Sequence, residues 1–418
     1  MNTILLIPTG EGVGLTSACL GMIYALDCKG INAGFLKPFS QLADSTVDRT
    51  ATLYRHLFQH HSVEPIAYER LTQLIALGET DELLEEAVAL HRQIAVDHDV
   101  IIVEGLVPNG QDHFASEINA ALAQALDAQV VLVSTADLAD PRKTAEKVDA
   151  HLRPFGGAAS ARTTGVLFMR TKGLPDGTAE IPVTLDPSLR LDQQIAEFSL
   201  ELQRYNRFIG TDELPIIGLV PFSNILSVPR SLDIAQIVNG TWLHQGEAKQ
   251  RRILHTSLIA SNIESELHKF VAGELIISAS QRTDTLLAAS LASSNGTPLA
   301  GLVLTEQAPP TDNVLEFCQS AIKQGLPILH TSLDTLETAQ RLNRFGNEIP
   351  IDDIERAEQV TRFVSSHIDN NWLDQHTQNN LHPRLSPSAF RYELVQKAIA
   401  AKKRIVLPEG DEPRTVQA

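Results

Sequence analysis

Thr3-Ile4-Leu5-Leu6-Ile7-Pro8-Thr9-Gly10-Glu11-Gly12-Val13-Gly14-Leu15-Thr16-Ser17 decides how this chain is read. Residues 3–7 form a short apolar run of the kind buried on both faces of a sheet. Three glycines at every second position then release the backbone from side-chain constraints. From Leu15 a helical pattern runs to about residue 28, with Gly30 placed to end it at C′. Strand, glycine loop and helix in that order form a site where backbone N–H groups and a helix dipole can converge on a phosphate.

The same alternation continues outward. Residues 33–36, 100–103, 129–134, 165–169 and 214–221 read as further short apolar strands with helical segments between them, which predicts a doubly wound parallel sheet. Ligands of such sheets sit at the carboxyl ends of the strands. Thr80 is expected to cap an amphipathic helix through about residue 96, with Leu84, Ala87, Val88 and His91 on one stripe. His91 reads as a helix-face residue rather than a ligand. Residues 175–192, rich in Pro, Asp and Thr, read as an exposed excursion.

A second, smaller α/β domain is expected over 231–368, with strands at 275–279, 301–304 and 327–330 and a helical pattern over 354–368. Residues 369–387 read as a polar, proline-punctuated linker. The ending, KKRIVLPEGDEPRTVQA, reads as a strand, a turn and a helix start, so 388–418 is expected to be the truncated start of a third α/β domain. The expected fold class is therefore α/β, with a first domain over 1–230.

Composition narrows the function. Apolar content of 43% and charged content of 20% fit globular material rather than disorder. A net charge of −17 spread along the chain argues against nucleic-acid and anionic-membrane partners. Cys19, Cys28 and Cys318 are few and show no CxxC spacing, so no zinc site is expected and a reducing compartment is. The N-terminus lacks a basic segment and a long apolar core, and cytoplasmic location is the expectation.

The candidate site is a crevice formed by Gly10, Gly12, Gly14, Thr16, Ser17, Lys37 and Glu104. The glycines would cradle phosphate, and the Thr16 hydroxyl stands where a Mg²⁺ ligand belongs. Lys37 and Glu104 each follow a strand; one could pair with phosphate and the other hold a metal or water, or both could be solvated edge residues. Asp44 and Asp48 read as solvated loop carboxylates. A working P-loop needs Lys after its last glycine, and Leu15 stands there. The alternative to ligand binding is a tight turn kept for packing. No metal site is assigned.

The strings IPTGEGVGLTS, FLKPF, VIIVEGLVP, TGVLF and PIIGLVP resemble the dethiobiotin-synthetase type of P-loop domain. Pro8 and Leu15 depart from that pattern, replacing its first Gly and its Lys, and Met169 stands where the family often has Asn. These departures count against ATP binding and against dethiobiotin synthesis. The order of parts, with Ser278-Ala279-Ser280-Gln281-Arg282-Thr283-Asp284 at the place of a DRTGG-type loop and the terminal KRIVLPEGDEPRTVQA, resembles long-form bacterial phosphate acetyltransferases.

That resemblance implies conversion of acetyl-CoA and phosphate to acetyl phosphate and coenzyme A by a domain beyond this chain. No catalytic residue is therefore assigned here. It further implies a regulatory and oligomerisation role, with homo-oligomers and effectors such as NADH, ATP or pyruvate, a nucleotide effector among them. Two other readings are an ATP-dependent ligase of the dethiobiotin-synthetase type and a nucleotide-switched partitioning ATPase, both of which lack the loop lysine here.

Overall fold

The computed structural model describes residues 2–41, 47–109, 114–158, 160, 162–174, 187–306, 308–343, 348–377, 387–400, 405–409 and 412–416. The chain divides into two units, 1–223 with 351–418, and 224–350.

The first unit carries β1 (Asn2–Pro8), β2 (Ala33–Leu36), β3 (Val100–Glu104), β4 (Gln129–Asp137), β5 (Thr163–Lys172) and β6 (Ile216–Pro221). They form one sheet in the order β2-β3-β1-β4-β5-β6. Every pairing in it is parallel. All residues of β1, β2, β3 and β6 are buried, which explains why their sequences run apolar without alternation. The order reverses direction at β1, so the glycine loop lies at the topological switch point.

The Leu15–Cys28 helix begins at Gly14, whose φ of 86° is left-handed and suits glycine. The helix packs against Ile354–Ser365. Gly21 makes that approach possible, since a Cβ there would collide with the Val364 side chain. Asp369 N–H then donates to Ile217 O (2.7 Å) and Trp372 Nε1 to Thr164 O (2.8 Å). Residues 354–368 were expected with the second domain and 369–387 as a linker. Instead, 351–377 returns to the first sheet and includes the Asn370–Thr377 helix, with Trp372 and Leu373 buried. The pull is apolar burial, which a polar reading of NNWLDQHT misses.

The Pro387–Ala400 helix also belongs here. Arg391 reaches Glu85 (2.9 Å) and Asp81 (3.3 Å), and Arg92 reaches Glu393 (2.9 Å), fastening it to the Thr80–Ala95 helix. Thr80 is the first residue of that helix rather than its cap; Glu79 holds the N-cap position. Beyond, β12 (Ile405–Glu409) and β13 (Glu412–Val416) pair antiparallel, so a second strand stands where the sequence suggests a helix start after a strand and turn. Of the expected excursion, 187–192 lies in the Pro187–Gln203 helix and 175–186 falls outside the described residues.

The second unit contains β7 (Thr241–His244), β8 (His255–Leu258), β9 (Glu274–Ala279), β10 (Gly301–Thr305) and β11 (Ile328–His330), in the order β7-β11-β10-β9-β8. Only β7 runs antiparallel. The two edge strands escaped the sequence reading because they are four residues long and half-exposed, so neither shows a buried apolar run. No helix among the described residues is long and apolar enough to cross a membrane.

Two outcomes follow. Gly21→Ala should lower stability by about 1–3 kcal/mol through overpacking, more than the roughly 1 kcal/mol an alanine gains in helix propensity; thermal unfolding measures it. His91 is buried and its Nε2 meets Thr3 Oγ1 at 2.9 Å. Burial, with Arg92 nearby, lowers its pKa from 6.5 to about 4. Its folded pKa is depressed, so the unfolded chain takes up the proton first. Stability is therefore intact above pH 6.5 and falls by up to about 3 kcal/mol as pH drops to 4. His91→Gln should flatten that part of the stability–pH curve.

Candidate functional site

The loop places Gly10, Gly12 and Gly14 at φ of 148°, 67° and 86°. All three lie in the range that favours glycine, so the backbone can turn from β1 into the helix. Thr9 is fixed beneath the loop, its N–H donating to Val133 O (2.9 Å) and its hydroxyl to Ser134 Oγ (3.0 Å). Leu15 is 7% exposed. The position that would present a lysine to phosphate therefore points into the core.

One side of the loop is a buried ionic network. Lys37 Nζ lies 2.8 Å from Asp48 Oδ2 and 2.9 Å from Glu104 Oε1. Thr50 Oγ1 donates to Glu104 Oε1 (3.3 Å) and shares a 2.9 Å bond with Thr16 Oγ1. Two carboxylates against one ammonium leave this floor with a net charge of −1. Burial works against the Lys37 charge, but the Glu104 and Asp48 charges outweigh it and hold its pKa above the ordinary value. Glu104 Oε2 is buried without a hydrogen-bond partner among the described residues. That oxygen is open to a water or a ligand donor. Among the described residues no group of three or more His, Cys, Asp and Glu side chains is placed to hold a metal ion.

Thus Lys37 and Glu104 do meet, as the sequence allowed, but they face each other rather than open solvent. Thr16 joins them through Thr50, and Ser17 follows, half-buried, on the same helical turn. Asp48 corrects an expectation. It is 6% exposed, and besides pairing with Lys37 its Oδ1 accepts from Ala51 N (2.9 Å), capping Arg49–Phe58. The signal was present, since Asp followed by a helical pattern is an N-cap signature. Asp44 lies outside the described residues. Cys19 is buried beside this network; burial and the Glu104 charge push its thiol pKa well up, which leaves it inert. Cys318 is buried and Cys28 exposed, all three free.

The other side of the loop is closed by β5. Met169 is buried, and its Cε would lie 3.5 Å from a Cβ built on Gly14. Arg170 follows with a left-handed φ of 53°. Its Nη1 donates to Gly12 O (3.0 Å), and its guanidinium lies 5.3 Å from the Phe222 ring centroid. Sequence reading missed Arg170, because nothing local signals a non-glycine residue in that conformation.

A sequence model of the AAA domain family matches residues 2–230, and one of the DRTGG domain family matches 233–345. The chain belongs to the AAA domain family. The end of the second match at 345 fits a unit closing at 350 rather than at 368. The chain is also a homologue of phosphate acetyltransferases. It is 73% identical over its full length to the phosphate acetyltransferase of Acinetobacter baylyi, 38% to that of Pseudomonas aeruginosa and 34%, over 99% of the chain, to that of Escherichia coli. It spans 58% of the length of each of these relatives. Among solved structures, the CBS and DRTGG domains of the regulatory region of Clostridium perfringens pyrophosphatase, complexed with the activator diadenosine tetraphosphate, align with 38% of the chain at 11% identity. The TM-score of 0.23 is too low to argue from.

The network yields a stability outcome. Lys37→Met strands two carboxylates in a buried site and should cost about 3–5 kcal/mol. Adding Glu104→Gln should recover part of that loss, which thermal unfolding of the two variants will show.

Proposed function

We propose that this chain is the regulatory and oligomerisation region of a phosphate acetyltransferase, acting beside a catalytic region that it does not itself contain. The observation that carries the reading is the 73% identity along the whole chain to a phosphate acetyltransferase of which it covers 58%. The full enzyme would transfer the acetyl group of acetyl-CoA to inorganic phosphate, releasing coenzyme A and forming acetyl phosphate. Such a transfer needs donors for phosphate, a base near the thiol and stabilisation of a tetrahedral oxyanion. The described residues near the loop offer a poor version of that set. Lys37 is committed to two carboxylates, and the local charge of the floor repels phosphate.

The loop crevice of Gly10, Gly12, Gly14, Thr16, Ser17, Lys37 and Glu104 is on this reading a sensing or packing element; a nucleotide, its candidate effector, would be held by the loop N–H groups and the helix N-terminus rather than by the paired Lys37. Burial of Leu15 supports that over ATP-driven ligation of the dethiobiotin-synthetase type. Assembly into homo-oligomers belongs to the same proposal.

Purified as 418 residues, the chain should form no acetyl phosphate from acetyl-CoA and phosphate above background. A rate near that of a full-length relative would place a working active site here and overturn the reading. Light scattering should give a mass that is a multiple of the chain's own.

A further inference from the structure

We infer that the cleft at the carboxyl ends of β4, β5 and β6 binds a small, multiply charged phosphate-bearing anion, with Arg170 exchanging its bond to the Gly12 carbonyl for one to that anion. The site lies on the flank of the loop opposite Lys37 and shares only Gly12 with the crevice described above.

The cleft has a volume of about 590 Å³, and its lining includes Lys143, Lys147, Arg170, Lys172, Phe222 and the two carboxylates Asp137 and Asp140. In a chain with 51 acidic and 34 basic residues, four cations around one cavity are out of proportion. None of the four forms an ion pair among the described residues. Lys147 Nζ donates to Thr135 Oγ1 (3.2 Å), and Arg170 donates to a backbone carbonyl.

The two carboxylates are occupied with backbone. Asp140 Oδ1 accepts from Lys143 N (3.1 Å) to cap Pro141–Leu152, and Asp137 Oδ1 accepts from Ala139 N (3.0 Å). The balance is +2 on this flank against −1 on the other. A bare anion is therefore drawn here and repelled there.

Lys143 and Lys147 stand four residues apart on one helix, where like charges repel. Burial, and then the Lys143 charge, lowers the Lys147 pKa, and burial lowers that of Arg170. An anion in the cleft would relieve both. Arg170 is held in a conformation that long side chains rarely adopt, and strain of this kind gathers at ligand clamps. Its present acceptor is a neutral carbonyl. A phosphate oxygen makes the stronger, charge-assisted bond, and a guanidinium can offer it two N–H groups. Phe222 backs the guanidinium plane and limits where it can swing. Movement of Arg170 would release the loop at Gly12, which links this cleft to the crevice.

Calorimetric titration of the 418-residue chain with inorganic pyrophosphate, at low salt and without divalent metal, tests the site. Saturable binding is expected, weakened at least ten-fold in Arg170→Gly, a substitution that also removes the backbone strain. Lys147→Gln, a half-buried position where the amide can keep the bond to Thr135, should weaken it too and serves if the first variant unfolds. Thr16→Val should leave it unchanged. Hydrogen exchange at residues 10–14 should rise with pyrophosphate. No binding at millimolar pyrophosphate overturns the cleft. So does affinity lost in Thr16→Val but kept in Arg170→Gly and Lys147→Gln, which would return the anion to the loop crevice. Unchanged exchange at 10–14 overturns the hand-over by Arg170. None of these outcomes bears on acetyl transfer, so the acetyltransferase reading stands or falls separately.

Discussion

A single buried ammonium sets the terms for everything around the glycine loop. Lys37 leaves the end of β2, Glu104 the end of β3, and Asp48 the start of the next helix, and their charges meet within 3 Å in a site almost closed to water. In such a place each charge is tolerable only because of the others. The network therefore binds three separate chain segments to one geometry, and it fixes Thr16 through Thr50 as well. It also consumes the cation that a phosphate site would need. Around Lys37, what resembles nucleotide machinery in the order of residues is in space a closed set of ion pairs.

The consequence is a loop with two unlike flanks. Toward β2 and β3 the field is negative and the ammonium is committed, with only Glu104 Oε2 left without a partner in the network. Toward β4, β5 and β6 it is positive, and among the described residues the cations lining the cleft form no ion pair. A conventional loop lysine would have joined the two sides by carrying positive charge to the centre. Leu15 instead buries itself, and Arg170 reaches in from β5 to hold the loop carbonyl. The loop is thus fastened by a residue that arrives from more than 150 positions away in sequence and whose grip is a neutral hydrogen bond. Of the contacts around the loop, that one is the easiest for an anion to outcompete.

The sheet was legible because a parallel strand covered on both faces leaves an apolar run that little else imitates, and β1 to β6 all carry one. The loop was legible because glycine at alternate positions has few other uses. Besides the short edge strands, three features of the first unit were not. Asp48 looked solvated because its partner Lys37 is eleven residues away and burial is decided by tertiary packing. Arg170 was invisible because its importance lies in a backbone angle. The boundary at 350 was invisible because Ile354–Ser365 has the amphipathic pattern of any helix, and periodicity shows that a face is buried but not against which sheet. The small clue was Gly21, a glycine inside a helix with no turn to make, where close approach by another element is the usual reason.

That boundary changes how the chain must fold. The first unit places its sheet before residue 223 and its covering helix after 351, so its core cannot close until 224–350 has been spanned. Loop-closure cost grows only as the logarithm of length, at about 0.6 kcal/mol per doubling. The intervening segment also has its own apolar core around Ile276, Leu286, Leu302 and Leu304, so it can order independently. Once it has, the effective gap is the separation of its two ends and not its contour length. The packing of Ile354–Ser365 on the Leu15–Cys28 helix, at whose head the glycine loop stands, is thus a contact whose two halves lie far apart in sequence, the kind that raises contact order.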